Sequence, residues 1–341
     1  HPEVLRDLSD RVTVVPSKVE VVSRALKLLG LEEGARGDGE PCEPAFRQAR
    51  VGVKVQDGCN NRCTYCIVWK ARGPERSVPV DAVLEQVRDV EEAGLPEVVL
   101  TGVNLGAYDG SSANDEHVEI DELLGIILRE TSIPQIRLSS IEPMDVSDRL
   151  IDRIAESRGR IAPFLHLPVQ SGCTATLERM GRPYRAEEFE DLCDVIVGFP
   201  GETDEEFEAS LGLCERVGFS RMHVFRYSAR PGTPAATMPD QVPPEIMAER
   251  SQRMRELAER MARVDAQSRC GTCERAVIEQ GRRGTLASFH RVEVDGLDRE
   301  GIEAPALVDV AIMDVSASGL VKAEFVRRSV LDNAPVASKG D

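Results

Sequence analysis

Residues 51–227 alternate short β-branched or apolar runs with amphipathic stretches, and this alternation leaves few folds open to the chain. The runs at 51–55, 97–101, 135–139, 163–167, 194–199 and 222–227 read as strands. Between them apolar residues recur at spacings of three and four, the period of a helix with one buried face. Val80, Val83, Leu84, Val87 and Val90 form one such set; Leu123, Leu124, Ile127 and Leu128 form the next, and Leu150, Ile151 and Ile154 a third. Strands alternating with helices build parallel βαβ units. The predicted fold class is therefore α/β, a partial (β/α)6 barrel whose chemistry sits at the C-terminal ends of its strands. One connection does not fit. Between Tyr184 and Asp194 there is room for about two helical turns, where a parallel crossover needs about 10–12 residues or more. Residues are expected to be missing near 192–193. The start at His1 rather than Met points the same way, to a fragment, and the Gly- and Glu-rich stretch 32–44 reads as a flexible linker.

Just after the first strand the chain reads CNNRCTYC, placing Cys59, Cys63 and Cys66 at spacings of three and two intervening residues. Three thiolates are one ligand short of the four that usually complete a 4Fe-4S cluster. A metal with an open position is a working metal, by the logic that separates catalytic from structural zinc. Zinc is the rival occupant, but no fourth Cys or His follows closely. The nine cysteines are too few for a disulfide scaffold in a chain of 341 residues, and a tight cluster within an odd count favours metal ligation in a reducing compartment. No apolar run approaches the roughly 20 residues of a spanning helix, and residues 1–10 have no signal-peptide core, so a cytoplasmic location without a membrane partner is expected.

The net charge of −17 counts against a polyanionic partner, but it is unevenly spread: residues 51–244 hold 33 acidic against 19 basic side chains. Farther along, Arg250, Arg253, Arg255, Arg260, Arg263 and Arg269 crowd one helical stretch. A solvated helix face and an RNA contact are both open readings of it. That helix, 245–267, follows a proline-rich connector at 230–244. From Gly271 onward short strands with turn signals predict a small antiparallel β-barrel, about 60 residues long and in the style of an oligonucleotide-binding module. Cys270 and Cys273 within it read as a strand-edge coincidence, since no partner pair accompanies them.

The cysteine motif after a first barrel strand resembles the radical S-adenosylmethionine (SAM) superfamily. Taken together, VQDGCNNRCTYCIVWKARGPERS, VVLTGVNLGAY, RLSSIEP, HLPVQSG, DVIVGFPGET and HVFRYSARPGTPAA resemble its methylthiotransferase family, most of all the branch acting on N6-threonylcarbamoyladenosine beside the tRNA anticodon. This resemblance implies an iron-sulfur-dependent transferase that uses SAM, with Cys59, Cys63 and Cys66 as cluster ligands and Tyr65 against the SAM adenosine. It also implies a backbone segment at Gly102 and Asn104 against the SAM amino group, and an adenine contact at Gly198 and Gly201. Ser140, Glu142, Gln170 and Ser171 follow the third and fourth strands and can bond the ribose hydroxyls or the methionine carboxylate; capping of the next helices is their alternative role. Lys70, Arg72 and Arg76 can neutralise substrate or SAM charge, or be solvated loop charges. Trp69 stands where the family commonly has Pro.

On this resemblance residues 1–50 are the remnant of an N-terminal methylthiotransferase domain plus linker, and 51–244 the radical SAM barrel. Residues 245–269 are then a connecting helix, and 270–341 a TRAM-like or OB-like barrel that holds RNA. The family carries a second 4Fe-4S cluster on three N-terminal cysteines; that triad is absent here, so its ligands are expected outside this chain. The implied partners are tRNA and an electron donor such as a flavodoxin or ferredoxin. Isopentenyladenosine tRNA, a ribosomal protein, and RNA binding without catalysis are the alternatives.

Overall fold

The computed structural model describes residues 48–111, 117–186 and 194–329. The expected N-terminal remnant, the linker at 32–44 and the missing residues near 192–193 lie outside the described residues.

The first part of the chain forms β1 (Arg50–Lys54), α1 (Val68–Arg72), α2 (Val80–Glu92), β2 (Glu97–Thr101), α3 (Ile120–Glu130), β3 (Gln135–Leu138), α4 (Asp148–Glu156), α5 (Thr174–Met180), β4 (Asp194–Val197), α6 (Asp204–Val217) and β5 (His223–Arg226). Helix α2 buries the five apolar residues that its periodicity marks. Capping boxes open two others, Glu119 with Glu122 at α3 and Thr203 with Glu206 at α6, and so satisfy amide groups that a helix start leaves free. Strands β1, β2 and β3 pair in parallel, with Val53 opposite Leu100 and Leu100 opposite Leu138, all in the core between sheet and helices. Strands β4 and β5 pair likewise.

The fourth strand differs from expectation. Residues 163–167 form no regular strand; in and beside them are only isolated parallel bridges, Ile136 with Ile161, Ser140 with His166, and Gln170 with Val195. Pro163 and Pro168 supply no amide donor to a ladder, so the connection is stepped rather than continuous. Among the described residues no ladder joins β5 back to β1, and the parallel array is open.

Side chains alternate across a strand. Val98, Leu100, Ile136, Leu138, Val195 and Val197 enter the helix-covered core, so Glu97, Gln135, Arg137 and Asp194 take the inner face. Near the strand starts the fully buried Glu97 accepts from Gln135 at 2.8 Å and from Arg137 Nε at 3.1 Å. Arg137 also donates to the carbonyls of Ala287 (3.1 Å) and Leu286 (3.3 Å).

Those carbonyls belong to the second core. Helix α7 (Pro244–Ser268) leads into β6 (Cys273–Gln280), β7 (Arg283–Leu286), β8 (Arg291–Asp295), β9 (Ala306–Val315) and β10 (Val321–Arg328), a closed barrel in the order β6-β7-β8-β10-β9. The expectation of an antiparallel barrel fails at one seam, where β8 and β10 run parallel. A closed ring with an odd number of strands cannot alternate direction throughout. Phe289, between β7 and β8, stacks on Phe164 at 4.7 Å and lies under Arg137 and Arg221. The small barrel thus closes the end of the parallel array away from the cysteine loop. Helix α7 serves both cores, giving Met254, Leu257 and Met261 to one and Ala266 to the other.

The row of arginines on α7 divides. Arg250 meets Glu202 and Asp204, Arg253 meets Glu208, and Arg260 meets Glu215, so these three dock on the acidic α6 and its approach, while Arg255 and Arg263 lie on the exposed side of the helix. At the far end of α7, Asp265 accepts from His290 (2.6 Å) and Arg269 (2.9 Å). Burial works to raise the Asp265 carboxyl, yet these donors hold it down at about 2. A carboxyl held below its unfolded value stabilises the fold above about pH 4 and loses that contribution as the pH falls toward 2. Asp265→Asn is therefore expected to cost about 2 kcal/mol at pH 7 in urea unfolding, with the gap to wild type closing below about pH 4; a gap independent of pH would contradict this.

Candidate functional site

The cysteine loop leaves β1 through Gln56 and Asp57, which pair with Ser77 and Arg76 in a short antiparallel hairpin. Gly58 follows with φ +77, and a Cβ there would lie 2.0 Å from the carbonyl oxygen of Pro74. Only glycine allows the chain to cross so closely before Cys59. Thr64 then anchors the loop, its amide donating to Met180 O and its hydroxyl to Arg179 O, both at 2.9 Å. Cys63 is buried, and Cys59 and Cys66 are half-buried; all three are free thiols. Burial pushes the Cys59 thiol up to about 11 and raises Cys66 as well.

Arg182, buried just past the end of α5, donates to Cys63 Sγ at 3.0 Å and to the Tyr184 hydroxyl at 2.9 Å, and forms an ion pair with Glu142. Glu142 is thereby committed to a cation. Asn104 is buried too, donating to Asp145 at 2.6 Å and accepting from the amides of Gly106 and Glu142. At Gly102 the backbone runs against Gln56, whose side-chain oxygen accepts from the amides of Val103 (2.9 Å) and Asn104 (3.0 Å) while its nitrogen donates to Gly58 O. Ser140 faces His166, Oγ to Nδ1 at 2.7 Å. Gln170 bridges to β4 with φ +70. Ser171 is fully buried, 3.1 Å from Ser210 of α6, and accepts from Cys173 N; it does not cap α5, whose N-cap residue is Cys173 with no side-chain cap bond. At Gly198, with φ +74, a Cβ would meet Met247 of α7 at 2.2 Å; Gly201 lies against Arg179. Tyr65 meets Phe199 edge-to-face at 6.4 Å, bringing the cysteine loop to the GFPGET segment. Of the loop cations, Arg76 pairs with Asp57 at 2.8 Å and Lys70 donates to Gly232 O.

Residues 53–214 match the model of the radical SAM superfamily. The threonylcarbamoyladenosine tRNA methylthiotransferase MtaB of Thermotoga maritima is 34% identical over 335 residues, 86% of this chain and 75% of that protein. The chain belongs to the radical SAM methylthiotransferase family. A tRNA-2-methylthio-N(6)-dimethylallyladenosine synthase of Bdellovibrio bacteriovorus is 37% identical over 67% of this chain and 52% of that protein. MtaB of Treponema pallidum is 38% identical, over 76% and 55%. The chain thus spans about half the length of several curated relatives that it matches.

Membership in the radical SAM family implies a 4Fe-4S cluster and SAM. The residues present fit a cluster: three free thiols share one loop anchored at Thr64, thiolates are the donors that iron-sulfur clusters take, and a bound cation drives off thiol protons. Several members of the site had no role in the sequence reasoning. Gln56 stands in the cysteine motif without a role assigned to it, and Arg182 and Tyr184 fall between the HLPVQSG and DVIVGFPGET motifs. Only their burial at the contacts described here marks them. Arg182 is expected to be indispensable to packing: Arg182→Met leaves Glu142 without its partner and should cost about 3 kcal/mol or more in urea unfolding. Adding Glu142→Gln should recover much of that loss; a double variant no more stable than Arg182→Met would argue against the coupling.

Proposed function

We propose that Cys59, Cys63 and Cys66 hold a 4Fe-4S cluster and that SAM binds across the strand ends beside it. Tyr65, Ser140, Gln170, and the backbone at Gly102, Asn104, Gly198 and Gly201 are its proposed contacts; Glu142 acts from behind, through Arg182. The intact protein then places a methylthio group on C2 of N6-threonylcarbamoyladenosine in tRNA. The observation that carries this reading is the match to Thermotoga maritima MtaB along 86% of the chain, from a protein covered to 75% of its own length. When bound, the cluster and SAM would supply a 5′-deoxyadenosyl radical able to take hydrogen from an inert C–H bond. Around them this chain would orient SAM, shield it on the inner face of the array, and keep Cys63 in place through Arg182. A second SAM would give the methyl group, and a second cluster, with ligands outside this chain, the sulfur.

The five-strand barrel is proposed as the RNA-holding, TRAM-like module. It lies at the opposite end of the parallel strands from the cysteine loop, so a tRNA held by both would span the length of the array. With Arg250, Arg253 and Arg260 paired to α6 and its approach, that grip would rest on other groups. An electron donor such as a flavodoxin or ferredoxin, and a cytoplasmic setting, belong to the same proposal. Among the described residues no helix is long and apolar enough to cross a membrane.

Dimethylallyladenosine tRNA is the second reading, favoured by the 37% identity to the Bdellovibrio protein. Mass spectrometry of tRNA nucleosides from a deletion strain decides between them: loss of the 2-methylthio derivative of threonylcarbamoyladenosine is expected, and loss of the dimethylallyl derivative alone would overturn the first reading. Anaerobically reconstituted full-length protein should release 5′-deoxyadenosine with cognate tRNA, and Cys63→Ala should abolish it. About four irons per chain should depend on the three cysteines.

A further inference from the structure

His166, Asp194 and His223 converge on the inner face of the parallel array, and their potential ligand atoms all lie within 4.8 Å of one another. They come from three different segments: the stepped fourth strand, the first residue of β4 and the first residue of β5. Asp194 Oδ1 is 3.0 Å from His223 Nδ1, and Oδ2 is 2.8 Å from His166 Nε2. The second contact is out of line for a hydrogen bond, and Nε2 is left buried without a hydrogen-bond partner. A buried ring nitrogen in that state costs free energy unless something accepts its lone pair or proton.

We infer that these three side chains form a binding site for a divalent transition metal of the zinc class, separate from the cysteine loop. Two imidazoles and a carboxylate are donors of the type that zinc takes, and three protein ligands leave a fourth position open. Around a tetrahedral ion with bonds of about 2.0–2.2 Å, donors stand roughly 3.4 Å apart. The observed separations need only small side-chain shifts to reach that. The surroundings also suit a ligand set. Ser140 Oγ, 2.7 Å from His166 Nδ1, fixes the ring and leaves Nε2 as the coordinating atom, the outer-shell contact that metal-bound histidines ordinarily have. The His166 and His223 rings meet edge-to-face at 5.7 Å, which holds both nitrogens toward Asp194. The fourth, open position of the ion would serve an oxygen or nitrogen of a bound molecule.

The test uses full-length protein with its iron-sulfur content in place, gel-filtered after incubation with zinc. One zinc per chain is expected by elemental analysis, with only nitrogen and oxygen neighbours in zinc-edge X-ray absorption. His166→Ala and His223→Ala should each weaken zinc binding at least tenfold, as judged by competition with a chromophoric chelator, and Ser140→Ala by about 10–100-fold. Cys59→Ala/Cys63→Ala/Cys66→Ala should lose iron and keep the zinc. Sulfur neighbours at the zinc edge, or zinc retained equally by His166→Ala/His223→Ala, would overturn the assignment. Should the histidine variants not fold, wild-type protein still decides: its melting temperature rises with zinc and not with magnesium if the site exists, and an unchanged value rules it out.

Discussion

A buried guanidinium organises the cysteine-loop end of this protein. Arg182 is almost wholly withdrawn from solvent, and an unpaired charge in that position would be prohibitively costly. Its neighbours answer that cost: Glu142 supplies the countercharge, and the Cys63 sulfur and Tyr184 hydroxyl take the remaining donors. The Tyr184 hydroxyl in turn donates to the carbonyls of Pro168 and Val169. One cation therefore ties together the cysteine loop, the end of β3 and the stepped fourth strand. The thiol that sits deepest in the loop is positioned by residues far from it in sequence.

Gln56 does for the second strand end what Arg182 does for the third and fourth. Its single amide bonds both the start of the cysteine loop and the backbone after β2, so the two segments cannot move independently. At the other end of the strands the buried Glu97 and Arg137 join the parallel array to the small barrel, and α7 runs between the two cores. The charge distribution follows from this plan. Some of the acidity of the central segment is used locally: Arg253 and Arg260 hold α7 to Glu208 and Glu215, two pairs seven residues apart on both helices. Such pairs are neutral and leave the net charge of −17 unchanged; what they do is withdraw these arginines from the surface available to a polyanion.

Most strands and helices were legible in the sequence because their apolar residues repeat with the period of the element they form. β2 spans the 97–101 run expected of it, and the long helix α7 departs by a residue at either end from the expected 245–267. Where expectation failed, a local rule met a global one. Residues 163–167 have strand-like composition, but two prolines withhold the donors of a ladder. The β-rich C-terminal segment reads as antiparallel hairpins, and closing five strands into a ring forces β8 against β10 in parallel.

By itself the sequence determined the alternating α/β plan, the cysteine triad and, through its motifs, the family; these rest on neighbours along the chain, and spacing alone expresses them. Only the tertiary structure decided which polar residues are free to meet a ligand. Asn104, Glu142 and Ser171 stand in conspicuous motifs, yet their side chains are spent on Asp145, Arg182 and Ser210. Conversely Arg182, which no motif contains, and Gln56, His166, Asp194 and His223, which stand in motifs but had no role there, showed their contacts only through burial and convergence. A hydrogen bond or ion pair between residues a hundred positions apart leaves no period in the sequence, because either partner could have been satisfied by water until the fold removed it.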